Sequence, residues 1–121
     1  MNILLVEDDP TDMKLLSAVL RSGGHRVFCK GSAEQAAEEV KAHRLDVILL
    51  DLKLPGMDGL DLARLLKNDP ATQEIPIIAI TAAVEKFSEA EAFAAGCTAF
   101  ILKPVNTRTL PRQVAEAASK T

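Results

Sequence analysis

Five short apolar runs recur along the 121-residue chain, and a stretch with helical spacing follows each one. The runs are NILLV, HRVFCK, DVILL, IPIIAI and AFIL. No other feature restricts the fold so strongly. Runs of this length suit strands, and the helical segments between them supply the crossovers that parallel strands need. The pattern predicts an α/β fold with a parallel five-stranded sheet and five helices, in one domain spanning residues 1–121. DVILL reads as a strand buried on both faces. HRVFCK is more polar and reads as an edge.

The helix ends carry their own signals. Asp9 is a natural N-cap, Pro10 fits the first helical position, and Gly23-Gly24 ends the first helix, whose Met13, Leu16 and Leu20 form one stripe. Ser32 and Gln35 have capping-box spacing before a helix with Ala33, Ala36, Ala37 and Val40 inward. Asp58 caps GLDLARLLKN, which the turn signal NDP closes. Ser88 and Glu91 repeat the capping-box spacing, and Gly96 ends that short helix. Phe87, just before the cap, reads either as a hydrophobic staple or as an exposed anchor for a partner. A last helix runs through VAEAASK. With Asn106 as its cap, Pro111 would remove a backbone donor, so the helix either begins nearer Thr109 or has a distorted first turn.

Four strands end on distinctive polar residues: Glu7-Asp8-Asp9, Asp51, Thr81 and Lys103. In a parallel sheet the carboxyl ends share one edge, where ligands bind. Residues far apart in sequence therefore converge. Crowded carboxylates need a cation, and hard oxygen ligands favour Mg²⁺. A carboxylate is also a nucleophile toward phosphorus, and a lysine and a hydroxyl stabilise the charge on a transferring phosphoryl group. Asp51 ends a buried strand that holds it rigidly while its head group faces this polar metal cleft, and Lys53 could offer its backbone carbonyl there. Met13 and Met57 read as packing, and His25 and His43 as structural.

Composition removes other classes. A net charge of -3, no Trp or Tyr and only four Phe leave neither a basic footprint nor a stacking platform for nucleic acid. No apolar run approaches a membrane span, and the acidic start MNILLVEDD is no signal peptide. Cys29 and Cys97 lack metal-ligand spacing and fit a reducing, cytoplasmic setting.

The motifs ILLVEDD, DVILLDLKLPGMDGL, PIIAITA and GCTAFILKP together resemble the receiver domain of two-component response regulators, nearly end to end. The type is the stand-alone receiver of chemotaxis and cell-cycle signalling. The resemblance implies a doubly wound, flavodoxin-like sheet in the order 2-1-3-4-5. It implies that Asp51 takes a phosphoryl group from a phosphohistidine on a histidine kinase or phosphotransferase. Asp8 would bind Mg²⁺ directly, Glu7 mainly through water, and Lys53 through its carbonyl. Thr81 and Lys103 would hold phosphoryl oxygens, and the Lys103-Pro104 bond would often be cis. Phosphorylation would draw Thr81 inward and let Phe100 rotate, changing the α4-β5-α5 surface that meets a downstream protein. Phe100 stands where many relatives have Tyr, so no tyrosine oxygen is available to a partner.

Ala82 and Ala83 leave the cleft mouth open for a histidine donor. The Lys53 side chain is expected either to pair with the phosphoryl group or a cleft acid and slow hydrolysis, or to be solvated. A stand-alone receiver with no output domain is the expected organisation. The expected role is a signalling relay or partner switch, as a monomer or a phosphorylation-dependent dimer, catalysing only its own phosphorylation and dephosphorylation. An aspartate-dependent phosphatase would need a second acid where Lys53 stands, and a substrate cap. A phosphorylation-independent binding module of the same fold is the other reading, and the intact Asp8, Asp51, Thr81 and Lys103 argue against it.

Overall fold

The structure, a computed structural model, describes residues 1–119. Lys120, read above as part of the last helix, lies outside them together with Thr121. The elements alternate as β1 (Asn2–Val6), α1 (Pro10–Ser22), β2 (Arg26–Lys30), α2 (Ala33–Ala42), β3 (Val47–Asp51), α3 (Gly59–Lys67), β4 (Ile77–Thr81), α4 (Glu89–Ala94), β5 (Ala99–Leu102) and α5 (Leu110–Ala118). All strand pairs are parallel, in the order β2-β1-β3-β4-β5. This is the predicted doubly wound sheet, with HRVFCK on an edge as its polarity required.

Period-two alternation divides the sheet between two cores. Leu4, Val6, Ile48, Leu50, Ile77 and Ala79 pack with residues of α2, α3 and α4. Ile3, Leu5, Val47, Leu49, Ile78 and Ile80 pack with Leu16 and Leu20 of α1 and Leu110 and Val114 of α5. Both faces of β3 and β4 are therefore covered, and all their residues are buried. Met13 and Met57 pack against these cores, as expected of fillers. His43 stacks on Phe28 with ring centroids 4.2 Å apart, and His25 meets the N-terminal amine at 3.1 Å. Cys97 is buried, and burial pushes its thiol up to about 11 against the pull of Lys67, so it behaves as an inert apolar group.

The caps follow the sequence with three adjustments. Asp9, Ser32, Asp58 and Ser88 all accept a backbone N–H at their helix starts. Ser88 and Glu91 form the full reciprocal box. Gln35 completes only half of one, because its Oε1 accepts from Gly31 N (3.1 Å) rather than from the cap residue. The C-cap of α4 is Ala95; Gly96 is one residue beyond, at φ 102°, where a side chain would be strained and would strike Lys67. Asn106 caps a preceding turn, its Oδ1 accepting from Arg108 N, and α5 begins at Leu110 with Pro111 in the first turn, where its missing donor costs nothing. Phe87 is buried in the same core as Ala92, four residues after the cap: it is the staple, not an exposed anchor.

Candidate functional site

Strand register brings the polar ends together. Val6 lies beside Leu50, Asp51 beside Ile80, and Thr81 beside Leu102. The next residues continue the ladder: Glu7 N donates to Lys30 O, Leu52 N to Ile80 O, and Lys103 N to Thr81 O. Glu7, Asp51, Thr81 and Lys103 therefore stand along one edge, on frames that packing on both sides holds still.

The Lys103 ammonium is the hub. Its Nζ donates to Glu7 Oε1 (2.7 Å), Asp51 Oδ2 (2.8 Å) and Asp12 Oδ2 (2.9 Å). Asp51 Oδ1 accepts from Lys53 N (2.9 Å), and Glu7 Oε2 from Asp9 N (3.1 Å). Thr81 is fully buried, and its Oγ1 accepts from Ala83 N at 3.0 Å. Phe100 is half-buried on the α4 side of the sheet, paired with Ala79, two residues before Thr81 along β4. The Lys103–Pro104 peptide is cis, as the resemblance implied.

Charge in the cleft is unbalanced. Six carboxylates (Glu7, Asp8, Asp9, Asp12, Asp51, Glu85) line it, against the ammonium groups of Lys53 and Lys103. Oxygens of Glu7, Asp8 and Asp51 lie within 4.8 Å of one another. Such a set of hard oxygens, with exposed Asp8 open to water, fits Mg²⁺. The Lys53 side chain is exposed and joins no ion pair among the described residues, so in this state it is the solvated lysine of the two alternatives.

Burial pushes the Glu7 carboxyl up from 4.5 to about 7; the Lys103 bond opposes this, and the proximity of Asp51 adds to it. For Lys103, burial works against the charge, but the bonds to Asp51, Glu7 and Asp12 prevail and raise its pKa above the ordinary 10.5. The Glu7 shift has a stability consequence. Between 4.5 and about 7 the folded protein holds a proton that the unfolded chain releases, so stability falls as pH rises through that window. In chelator, urea unfolding of the wild type is expected to lose stability across it more steeply than Glu7→Gln. Parallel pH profiles would contradict the assignment.

Sequence reasoning missed Asp12. An acid in a first helical turn is the commonest complement to the helix dipole, and that signal hid its second use. Its position three residues after the Asp9 cap places it over the sheet edge where Lys103 emerges.

An acidic cluster at the carboxyl edge of a doubly wound sheet, with a buried Thr and a Lys from the next two strands, defines a receiver-type cleft. The chain belongs to the response regulator receiver domain family, whose model matches residues 3–115. It is 33% identical over 105 residues to the polar-differentiation response regulator DivK of Brucella anthropi, covering 87% of this chain and 85% of that protein. Among solved structures it is similar to the receiver domain of a sensor histidine kinase from Pseudomonas aeruginosa, determined with a magnesium ion coordinated in its active-site cleft (TM-score 0.89, 32% identity, 98% of both chains). A putative response regulator from Chloroflexus aurantiacus superposes with TM-score 0.93 at 29% identity, over 98% of both chains.

Proposed function

We propose that Asp51 is the phospho-acceptor of this receiver domain and that a phosphohistidine on a partner kinase or phosphotransferase is its donor. The observation that carries the reading is the carboxylate itself: buried at the end of β3, fixed at one oxygen by Lys53 N and at the other by Lys103. A nucleophile held on both oxygens needs little reorganisation to meet phosphorus in line. An Asp51 oxygen forms the new P–O bond while the P–N bond of the donor breaks. The electron pair stays on the imidazole nitrogen, which takes a proton from solvent. The product is an acyl phosphate. The developing charge on the equatorial oxygens meets the Lys103 ammonium and the Thr81 hydroxyl. Asp8 and Asp51, Glu7 through water and the Lys53 carbonyl would hold Mg²⁺, which would supply charge neutralisation.

The output is a shift between two states. The Thr81 hydroxyl accepts from Ala83 N in this state, and turning it toward a phosphoryl oxygen vacates space beside Phe100. Phe93 of α4 and Leu102 of β5 are exposed apolar residues on the surface that this movement alters, and they suit a protein partner. The signalling role does not make the chain a conventional enzyme; its chemistry acts on its own Asp51. No described helix is long and apolar enough to cross a membrane.

Incubation with a phosphoramidate, a small donor with a P–N bond, tests the proposal. One hydroxylamine-labile phosphoryl group is expected with Mg²⁺, and none with chelator. An adduct indifferent to Mg²⁺, or stable to hydroxylamine, would oppose it.

A further inference from the structure

Lys103 must keep its place while its partners change, and the structure holds a residue suited to that task. A lysine ammonium has three N–H donors. Here all are committed, to Glu7, Asp51 and Asp12 at 2.7, 2.8 and 2.9 Å. Two of these partners belong to the Glu7–Asp8–Asp51 cluster that would receive the cation. Mg²⁺ on the same carboxylates repels the ammonium and competes for their oxygens. Asp12 stands outside the cluster.

We propose that Asp12 is a positioning residue that retains the Lys103 ammonium in the cleft when Glu7 and Asp51 turn to Mg²⁺. This rests on the receiver reading above. Three features suit Asp12 to the task. It sits in the first turn of α1, a helix fixed by the Asp9 cap and by Leu16 and Leu20 in the core. Its side chain is 35% exposed, against 1% for Glu7 and 7% for Asp51, so its charge stays hydrated whatever the cluster binds. Its bond to Lys103 spans 91 residues of sequence, and its Oδ1 makes no hydrogen bond among the described residues, so it caps no helix and serves no turn. Without Asp12 the ammonium has only the cluster acids to fall back on, and it opposes the cation there.

Calorimetric titration of the full chain with Mg²⁺ tests this through a double-mutant cycle. Asp12→Asn is expected to weaken Mg²⁺ binding ~5- to 10-fold when Lys103 is present. In a Lys103→Met background the same change should cost less than about twofold, the effect of one screened charge. Glu85→Gln removes a charge from the cleft rim without touching Lys103, and should also stay within about twofold. The ammonium ¹⁵N resonance of Lys103 gives a second readout that needs no Lys103 variant. In Mg²⁺-saturated protein it should exchange slowly in the wild type and be lost to fast exchange in Asp12→Asn.

Equal Asp12→Asn effects in both backgrounds, or an unchanged resonance, would overturn the inference. If the wild type binds Mg²⁺ and Asp12→Asn matches Glu85→Gln, only the anchoring role falls. If the wild type binds no Mg²⁺, the receiver reading of the cleft falls with it.

Discussion

Lys103→Met is expected to destabilise the metal-free protein by about 3 kcal/mol near neutral pH. The substitution keeps most of the buried chain and removes the charge together with the N–H donors to Glu7, Asp12 and Asp51. Glu7 and Asp51, 1% and 7% exposed at their side chains, then face each other with no cation between them. Removing one member of a buried ion network costs more than the network itself contributes, because the remaining charges stay desolvated. The loss should shrink at acid pH, where the carboxyls protonate, and Mg²⁺ should restore much of it by replacing the ammonium charge. Urea unfolding with and without Mg²⁺ measures both effects. Phosphoryl acquisition should fall ~100-fold even with Mg²⁺ saturating, since a donor to the transferring oxygens is gone. A variant as stable as the wild type in chelator would mean that Lys103 is not the countercharge of the cluster.

Gly59→Ala has an effect of similar size from a different cause. A Cβ at Gly59 would sit 2.6 Å from Leu52 Cα and 2.7 Å from the backbone oxygen of Asp51. Both are main-chain atoms, so no side chain can swing aside. Gly59 N also donates to Leu52 O at 2.9 Å, which pins the start of α3 against the end of β3. Adding one methyl must push these segments apart, at an expected cost of about 2–4 kcal/mol. The strain falls on Asp51, the proposed acceptor, and on the loop carrying Lys53, so Mg²⁺ affinity should drop as well. Denaturant midpoints give the first quantity and calorimetry the second. A midpoint equal to that of the wild type would show that the β3–α3 junction yields easily.

These two residues differ in how far the sequence disclosed them. Lys103 was legible because it follows a strand, and the carboxyl edge of a parallel sheet gathers whatever follows strands. Glu7, Asp8, Asp51 and Thr81 were legible for the same reason. The helix starts at Asp9, Ser32, Asp58 and Ser88 could be read from local hydrogen-bonding needs that involve only neighbours in the chain. Gly59 gave no such sign: it follows Asp58 and looks like an ordinary turn glycine, while its constraint is a close approach to a backbone seven residues away. Asp12 was hidden because a first-turn acid already has an ordinary explanation. Gln35 had the spacing of a capping box, but the chain before α2 offered Gly31 N instead. Local signals decide caps and strands, whereas contacts across the sheet edge depend on register, which the pattern of apolar runs leaves open.

Every proposed step of the signalling chemistry passes through the Asp51 carboxylate as the group that takes phosphorus. Intact-protein mass after incubation with Mg²⁺ and a small phosphoryl donor, for the wild type beside Asp51→Asn, tests it most directly. A single phosphoryl adduct is expected on the wild type and none on the variant, with both proteins folded. An adduct of equal yield on Asp51→Asn, or none on the Mg²⁺-loaded wild type, would contradict it.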